Sequence, residues 1–215
     1  MEERACQGKD EGVESIQYLV TVNSIVDFLN YSSIFVIMIQ TEKQIRIAIT
    51  GPESTGKTTL ALQLAELYKG QYIPEFAREY VEKLPRHYTY EDVEAIAKIQ
   101  VEQYQATALG SDQLFFFDTW LIITKVWFNW VFDKAPDWLH AKILDCHIDL
   151  FLLCLPDLPW EPDPVRENGG ENRLKLFNLY RKELQHYGFN FVEISGIGEA
   201  RLKAGIDAMN NIIQL

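Results

Sequence analysis

Residues Gly51-Pro52-Glu53-Ser54-Thr55-Gly56-Lys57-Thr58 fit the pattern G-x-x-x-x-G-K-[ST] of a phosphate-binding loop. The pattern constrains the fold because it needs a strand before it and a helix after it. Both flanks comply. Gln44 to Thr50 alternates Ile45, Ile47 and Ile49 with other residues, as a strand does, and Thr59 to Lys69 carries Leu60, Leu62, Leu64, Ala65 and Leu67, which suits a packed helix. Backbone N–H groups of such a loop, with the helix N-terminus behind it, cradle a polyphosphate. The residues expected to hold the nucleotide are Gly51, Glu53, Ser54, Thr55, Gly56, Lys57, Thr58 and Thr59. Lys57 is placed to reach the β- and γ-phosphates, and Thr58 to offer its hydroxyl to Mg²⁺.

The rest of the chain reads as alternating strands and helices. Short apolar strands are expected at Gly70–Ile73, Leu114–Phe117, Ile148–Leu155 and Phe189–Ser195, and helices lie between them. Thr89-Tyr90-Glu91-Asp92 has the form of a capping box opening one helix, and Thr119 to Phe132 reads as an apolar helix carrying Trp120, Trp127 and Trp130. This order predicts an α/β three-layer sandwich of the P-loop NTPase kind. It has a five-stranded parallel sheet with helices on both faces, and its ligands gather at the carboxyl ends of the strands.

Composition narrows the function. The chain has 215 residues and a formal net charge of −11, which argues against a broad nucleic-acid surface. Three cysteines lie at no metal-binding or redox spacing, and their odd number without a secretory signature points to a reduced, cytoplasmic setting. Residues 16–39 are mostly apolar but are broken by Asn23, Asp27 and Asn30, which argues against a membrane helix. The acidic leader before them argues against a signal peptide. Residues 1–37 are therefore expected to be an extension outside the catalytic domain, which would run from Met38 to Leu215. A membrane-surface segment is the rival reading.

Acidic residues at strand ends are the candidate chemical groups. Asp118, closing an apolar strand, matches a Walker B carboxylate that holds Mg²⁺. Glu75, after the second strand, can accept a proton from an acceptor hydroxyl, with Arg78 one turn onward to orient it or touch substrate, and Asp118 is the alternative base and a further candidate substrate contact. The long connection from Pro156 to Gly170, together with Arg166 and Arg173, suggests a lid over about 160–173 that neutralises phosphoryl charge. Gly169-Gly170 is expected to have little to pack, so the lid should be mobile without ligands. Trp160 and Asp163 are candidates for the acceptor pocket, one as an aromatic face and the other as a carboxylate for ribose hydroxyls.

Several segments together resemble the ribosylnicotinamide kinase domain of NadR-type proteins. They are the loop at 51–58, Pro74-Glu75-Phe76-Ala77-Arg78-Glu79-Tyr80, Phe116-Phe117-Asp118-Thr119, and Pro159-Trp160-Glu161-Pro162-Asp163-Pro164-Val165-Arg166 with Arg173 beyond. The resemblance covers roughly 43–215. It implies ATP- and Mg²⁺-dependent 5′-phosphorylation of nicotinamide riboside, giving nicotinamide mononucleotide in NAD salvage. It does not extend to adenylyl transfer or repression, because residues 1–43 hold neither an H-x-G-H signature nor a helix-turn-helix segment. Alternatives are a kinase for another nucleoside or deoxynucleoside, and a P-loop ATPase or nucleotide switch. A guanine-specific switch would want N-K-x-D, which the chain lacks.

Overall fold

The structure, a computed structural model, describes residues 44–109 and 113–213. The expected extension at 1–37 and its boundary at Met38 lie outside the described residues. The elements are β1 (Ile45–Thr50), α1 (Lys57–Tyr68), β2 (Gln71–Ile73), α2 (Phe76–Glu82), α3 (Tyr90–Thr107) and β3 (Leu114–Asp118). They continue as α4 (Leu121–Phe132), α5 (Asp137–Asp145), β4 (Leu150–Cys154), α6 (Glu171–His186), β5 (Phe191–Ile194) and α7 (Glu199–Ile213).

The five strands form one sheet in the order β2-β3-β1-β4-β5, and every pairing is parallel. Burial on both faces explains why β3 and β4 are apolar runs without alternation. Phe115, Phe116 and Phe117 are each at most 1% exposed. Period-two geometry sends side chains of one strand to opposite layers. Ile47, Ile49 and Phe116 meet α1 and α7 through Leu60, Leu64, Ala208 and Met209. Ala48, Phe115 and Phe117 meet α3, α4, α5 and α6 through Val93, Leu121, Ile143, Phe177 and Leu184. This is the three-layer α/β sandwich expected from the sequence. The chain order turns back at β1, so the loops after β1 and β3 lie side by side, where ligands of such sheets bind.

Two boundaries differ from the sequence expectation, each for a local reason. The first helix begins at Lys57 rather than Thr59, because left-handed Gly56 (φ 71°) is its N-cap and the motif's own Lys57 and Thr58 form its first turn. The helix after β3 begins at Leu121 rather than Thr119. Thr119 has φ 67° and its N–H still donates to the Ile49 carbonyl at 3.0 Å, so the chain leaves the sheet one step later. The capping box forms: the Thr89 N–H donates to Asp92 Oδ2 at 2.7 Å and opens α3. Among the described residues no helix is long and apolar enough to cross a membrane.

Candidate active site

The loop between β1 and α1 closes on itself. Thr55 Oγ1 and Lys57 Nζ both donate to the Pro52 carbonyl, at 2.9 and 2.8 Å. Gly51 carries φ 141°, and a Cβ there would lie 2.7 Å from the Cys154 carbonyl oxygen, so the neighbouring strand end admits only glycine. Behind the loop, α1 presents its first turn, with Thr58 and Thr59 exposed. Free N–H groups at that end, with the helix dipole, favour an anion.

Asp118 pairs in register with Ile49 and lies two residues beyond Phe116, so its side chain belongs to the α1 side of the sheet. It is 1% exposed. Oδ2 accepts a hydrogen bond from the Tyr72 hydroxyl at 3.1 Å, while Oδ1 is buried without a hydrogen-bond partner among the described residues. An orphaned carboxylate oxygen beside a phosphate-binding loop, with the Thr58 hydroxyl on the loop helix, is a donor set that suits a hard cation. No group of three or more His, Cys, Asp or Glu among the described residues could hold a metal, so such a cation would draw its other ligands from phosphate and water.

Glu75 is the N-cap residue of α2. Burial pushes its carboxyl above the ordinary carboxylate range, Lys57 pulls it back, the Asp118 charge raises it again, and Arg78 and Arg166 lower it. A carboxyl poised this way suits proton exchange. Arg78 Nε lies 3.9 Å from Glu75 Oε2, and Arg78 Nη2 donates to Asp163 Oδ2 at 3.0 Å. The Glu75–Arg78 neighbourhood expected from their spacing is present.

The segment at 160–173 lies against the phosphate loop. Glu53 accepts from the backbone N–H groups of Glu167 (3.2 Å) and Asn168 (3.0 Å) and from Asn168 Nδ2 (3.2 Å). Ser54 Oγ accepts from the Glu161 N–H at 3.1 Å. Asp163 takes the N–H groups of Val165 and Arg166, and its Oδ2 lies 2.9 Å from Arg166 Nε. Burial works against its ionisation, yet the Val165 N–H, Arg78 and Arg166 hold it below the usual carboxylate range.

Several residues sit where the sequence alone did not place them. Arg173, expected to be well anchored and to reach the phosphates only once ATP and acceptor are bound, is 7% exposed and donates to the carbonyls of Glu53 (3.1 Å), Leu158 (2.9 Å) and Ser54 (2.9 Å). In this structure it braces the loop from α6. Trp160, Asp163 and Asp118, anticipated among the acceptor contacts, are not among the residues lining the cavity; Asp163 joins Arg78 to Arg166 instead. Gly169, anticipated to pack on nothing, lies so close to Trp160 that a Cβ there would sit 3.2 Å from the indole.

The cavity is lined by Gly51, Glu53 and Lys57 of the loop region, by Glu75, Arg78 and Arg166, and by Tyr88, Gln100, Thr124, Trp127 and Trp130, with Leu176 and Tyr180 of α6. Tyr88 and Trp127 meet edge-on with ring centroids 4.8 Å apart. Burial pushes the Tyr88 phenol up to about 12, and its hydroxyl donates to Glu167 Oε2 at 2.8 Å. Thr124 Oγ1 donates to Gln100 Oε1 at 2.6 Å. Sequence reasoning missed these residues as site residues. One signal was available: Ile123, Trp127 and Trp130 form a stripe at spacings of four and three on a helix that is apolar all round.

A search of known proteins finds matching relatives. The trifunctional NAD biosynthesis/regulator protein NadR of Escherichia coli (strain K12) is 26% identical over 155 residues, 69% of this chain but only 37% of that protein. The matched segment is thus little more than a third of that relative's length. A solved NadR protein in complex with NR superposes with a TM-score of 0.66 at 22% identity, covering 78% of this chain and 50% of that one. A NadR protein in complex with NAD and AMP-PNP gives 0.68 at 22%, covering 80% and 50%. A thymidylate kinase from Ehrlichia chaffeensis gives 0.57 at 11%, covering 79% and 99%. These likenesses agree with the fold, and the resemblance to NadR-type proteins read from the motifs is the one the comparisons find. The model of the AAA_28 family, an AAA domain, matches residues 46–201, so the chain belongs to that family.

Proposed function

We propose that this chain is an ATP-dependent kinase that phosphorylates the 5′-hydroxyl of nicotinamide riboside, giving nicotinamide mononucleotide. One observation carries the reading: a single cavity joins the phosphate loop and Glu75 to an aromatic end built from Tyr88, Trp127 and Trp130. Nicotinamide riboside has a cationic pyridinium at one end and a reactive hydroxyl at the other. Aromatic faces suit the cation. The similarity to NadR, whose solved complexes hold NR in one case and AMP-PNP in another, supports the same acceptor and donor.

The residues then divide the work. The loop N–H groups and Lys57 hold and neutralise the triphosphate, and Lys57 leaves the Pro52 carbonyl to do so. Glu75 accepts the proton of the attacking hydroxyl, for which its raised pKa is suited. Arg78 and Arg166, held by Asp163, offset charge near the transferred group. Thr58 and Asp118 would hold Mg²⁺, which supplies charge neutralisation across the β- and γ-phosphates when bound. The segment at about 160–173 acts as a lid that excludes water.

Purified protein incubated with Mg·ATP and a nucleoside panel tests this, with product mass and ADP release as readouts. Nicotinamide riboside should give its monophosphate and the largest stimulation of ADP release. A better deoxynucleoside or other nucleoside would replace the acceptor assignment, and the likeness to a thymidylate kinase gives that outcome a place in the same fold. ADP release that no nucleoside stimulates would overturn the kinase reading altogether.

A further inference from the structure

We infer that Tyr72 is a positioning residue for Asp118, a role that rests on the kinase reading of the site. The sheet itself brings the two together. Tyr72 on the edge strand β2 pairs with Phe116 of β3, and Asp118 lies two residues beyond Phe116 on the same face. That makes Tyr72 and Asp118 a diagonal cross-strand pair, the relation that long side chains can span. The phenol spans it, donating to Oδ2 at 3.1 Å.

The direction of this bond is fixed by chemistry. An ionised carboxylate only accepts, so the phenol must be the donor. An aspartate's terminal torsion is broad and roughly two-fold. Anchoring Oδ2 removes that freedom and leaves Oδ1, buried and without a hydrogen-bond partner among the described residues, as the oxygen free to meet a cation. Tyr72 is not among the residues lining the cavity, and its hydroxyl is hydrogen-bonded to Asp118, the group through which it acts.

The test uses Tyr72→Phe, which keeps the ring that packs on the α1 layer. Binding of AMP-PNP is measured by calorimetry with Mg²⁺ and with EDTA, and turnover is measured with the best acceptor of the nucleoside panel. One hydrogen bond to a charged group corresponds to roughly a ten-fold effect. Tyr72→Phe should lower the Mg²⁺-dependent gain in AMP-PNP affinity and kcat by about that factor, with metal-free affinity and acceptor KM unchanged. In an Asp118→Asn background the same substitution should change neither, because the coupling is gone. A purely structural tyrosine would lower melting temperature and metal-free affinity without touching the Mg²⁺ increment. That result, an increment equal to wild type, or a wild-type protein without any Mg²⁺ increment would each overturn the inference. The binding arm needs no acceptor, so a wrong acceptor assignment shows in the panel alone.

Discussion

Arg173 offers the sharpest test of how the loop is held. Its guanidinium, 7% exposed, donates to three carbonyls at 2.9–3.1 Å, two of them within the phosphate loop. Replacing it with methionine keeps much of the stem volume but removes all three donors. A hydrogen bond to a charged group contributes about 1.5–3 kcal/mol net, and bonds from one group are not additive, so Arg173→Met should cost about 3–5 kcal/mol. For a domain of this size each kcal/mol is worth about 2–4 °C, so the melting temperature should fall by roughly 6–20 °C. Arg173→Lys keeps the charge but not the planar fork, and about half that loss is expected. Scanning calorimetry gives the melting temperatures, and AMP-PNP titration at a temperature where each variant is folded gives the loop's competence. AMP-PNP should bind more weakly to the methionine variant even where it is folded, because Glu53 and Ser54 have lost their anchor. A methionine variant that melts within about 2 °C of wild type would refute the bracing role, since the bonds would then contribute less than a single ordinary one.

Other outcomes follow from the same geometry. Lys57→Ala should lower kcat at least a hundred-fold, as measured by coupled ADP release, with the melting temperature within a few degrees of wild type, because the residue serves charge that develops only with nucleotide bound. Glu75 must be ionised to accept a proton, and its pKa is raised, so kcat should fall as pH drops through a value above the ordinary carboxylate range; in Glu75→Gln the residual rate should lose that acidic limb in a pH-rate profile. Gly51→Ala should abolish AMP-PNP binding, because a methyl group 2.7 Å from the Cys154 carbonyl forces the loop off the strand end. Trp127→Ala should raise the KM for nicotinamide riboside about three- to thirty-fold and leave the KM for ATP unchanged, the range expected for loss of an aromatic face under a cation.

The parts legible in the sequence were those written in contiguous residues. The motif at 51–58, the run Phe115–Phe117 and the box at Thr89 each carry their own local physics, and a parallel sheet of five strands followed from their alternation with helices. Arg173 was recognised as important, but its hold on the phosphate loop was not legible, because its partners are backbone carbonyls, which every residue has and no sequence distinguishes. Trp160 and Asp163 were assigned to the pocket from their closeness along the chain. The Asp163 carboxylate is instead used within the segment, on Val165, Arg166 and Arg78. Tyr88, Gln100 and Trp127 come from two helices and the turn before one of them, and only the packing of α3 against α4 makes them neighbours.

Arg173, Leu176 and Tyr180 stand on one face of α6 at spacings of three and four. The first is bonded to the phosphate loop, and the other two wall the far part of the cavity. A turn or two of helix therefore ties the phosphate loop to the part of the cavity wall that Leu176 and Tyr180 supply. If the loop shifts on taking up triphosphate, that wall would shift with it, and a molecule lodged against Tyr180 would bias the loop in return. Thermodynamic reciprocity makes the two effects equal in free energy, so donor and acceptor should alter each other's dissociation constants by one common factor.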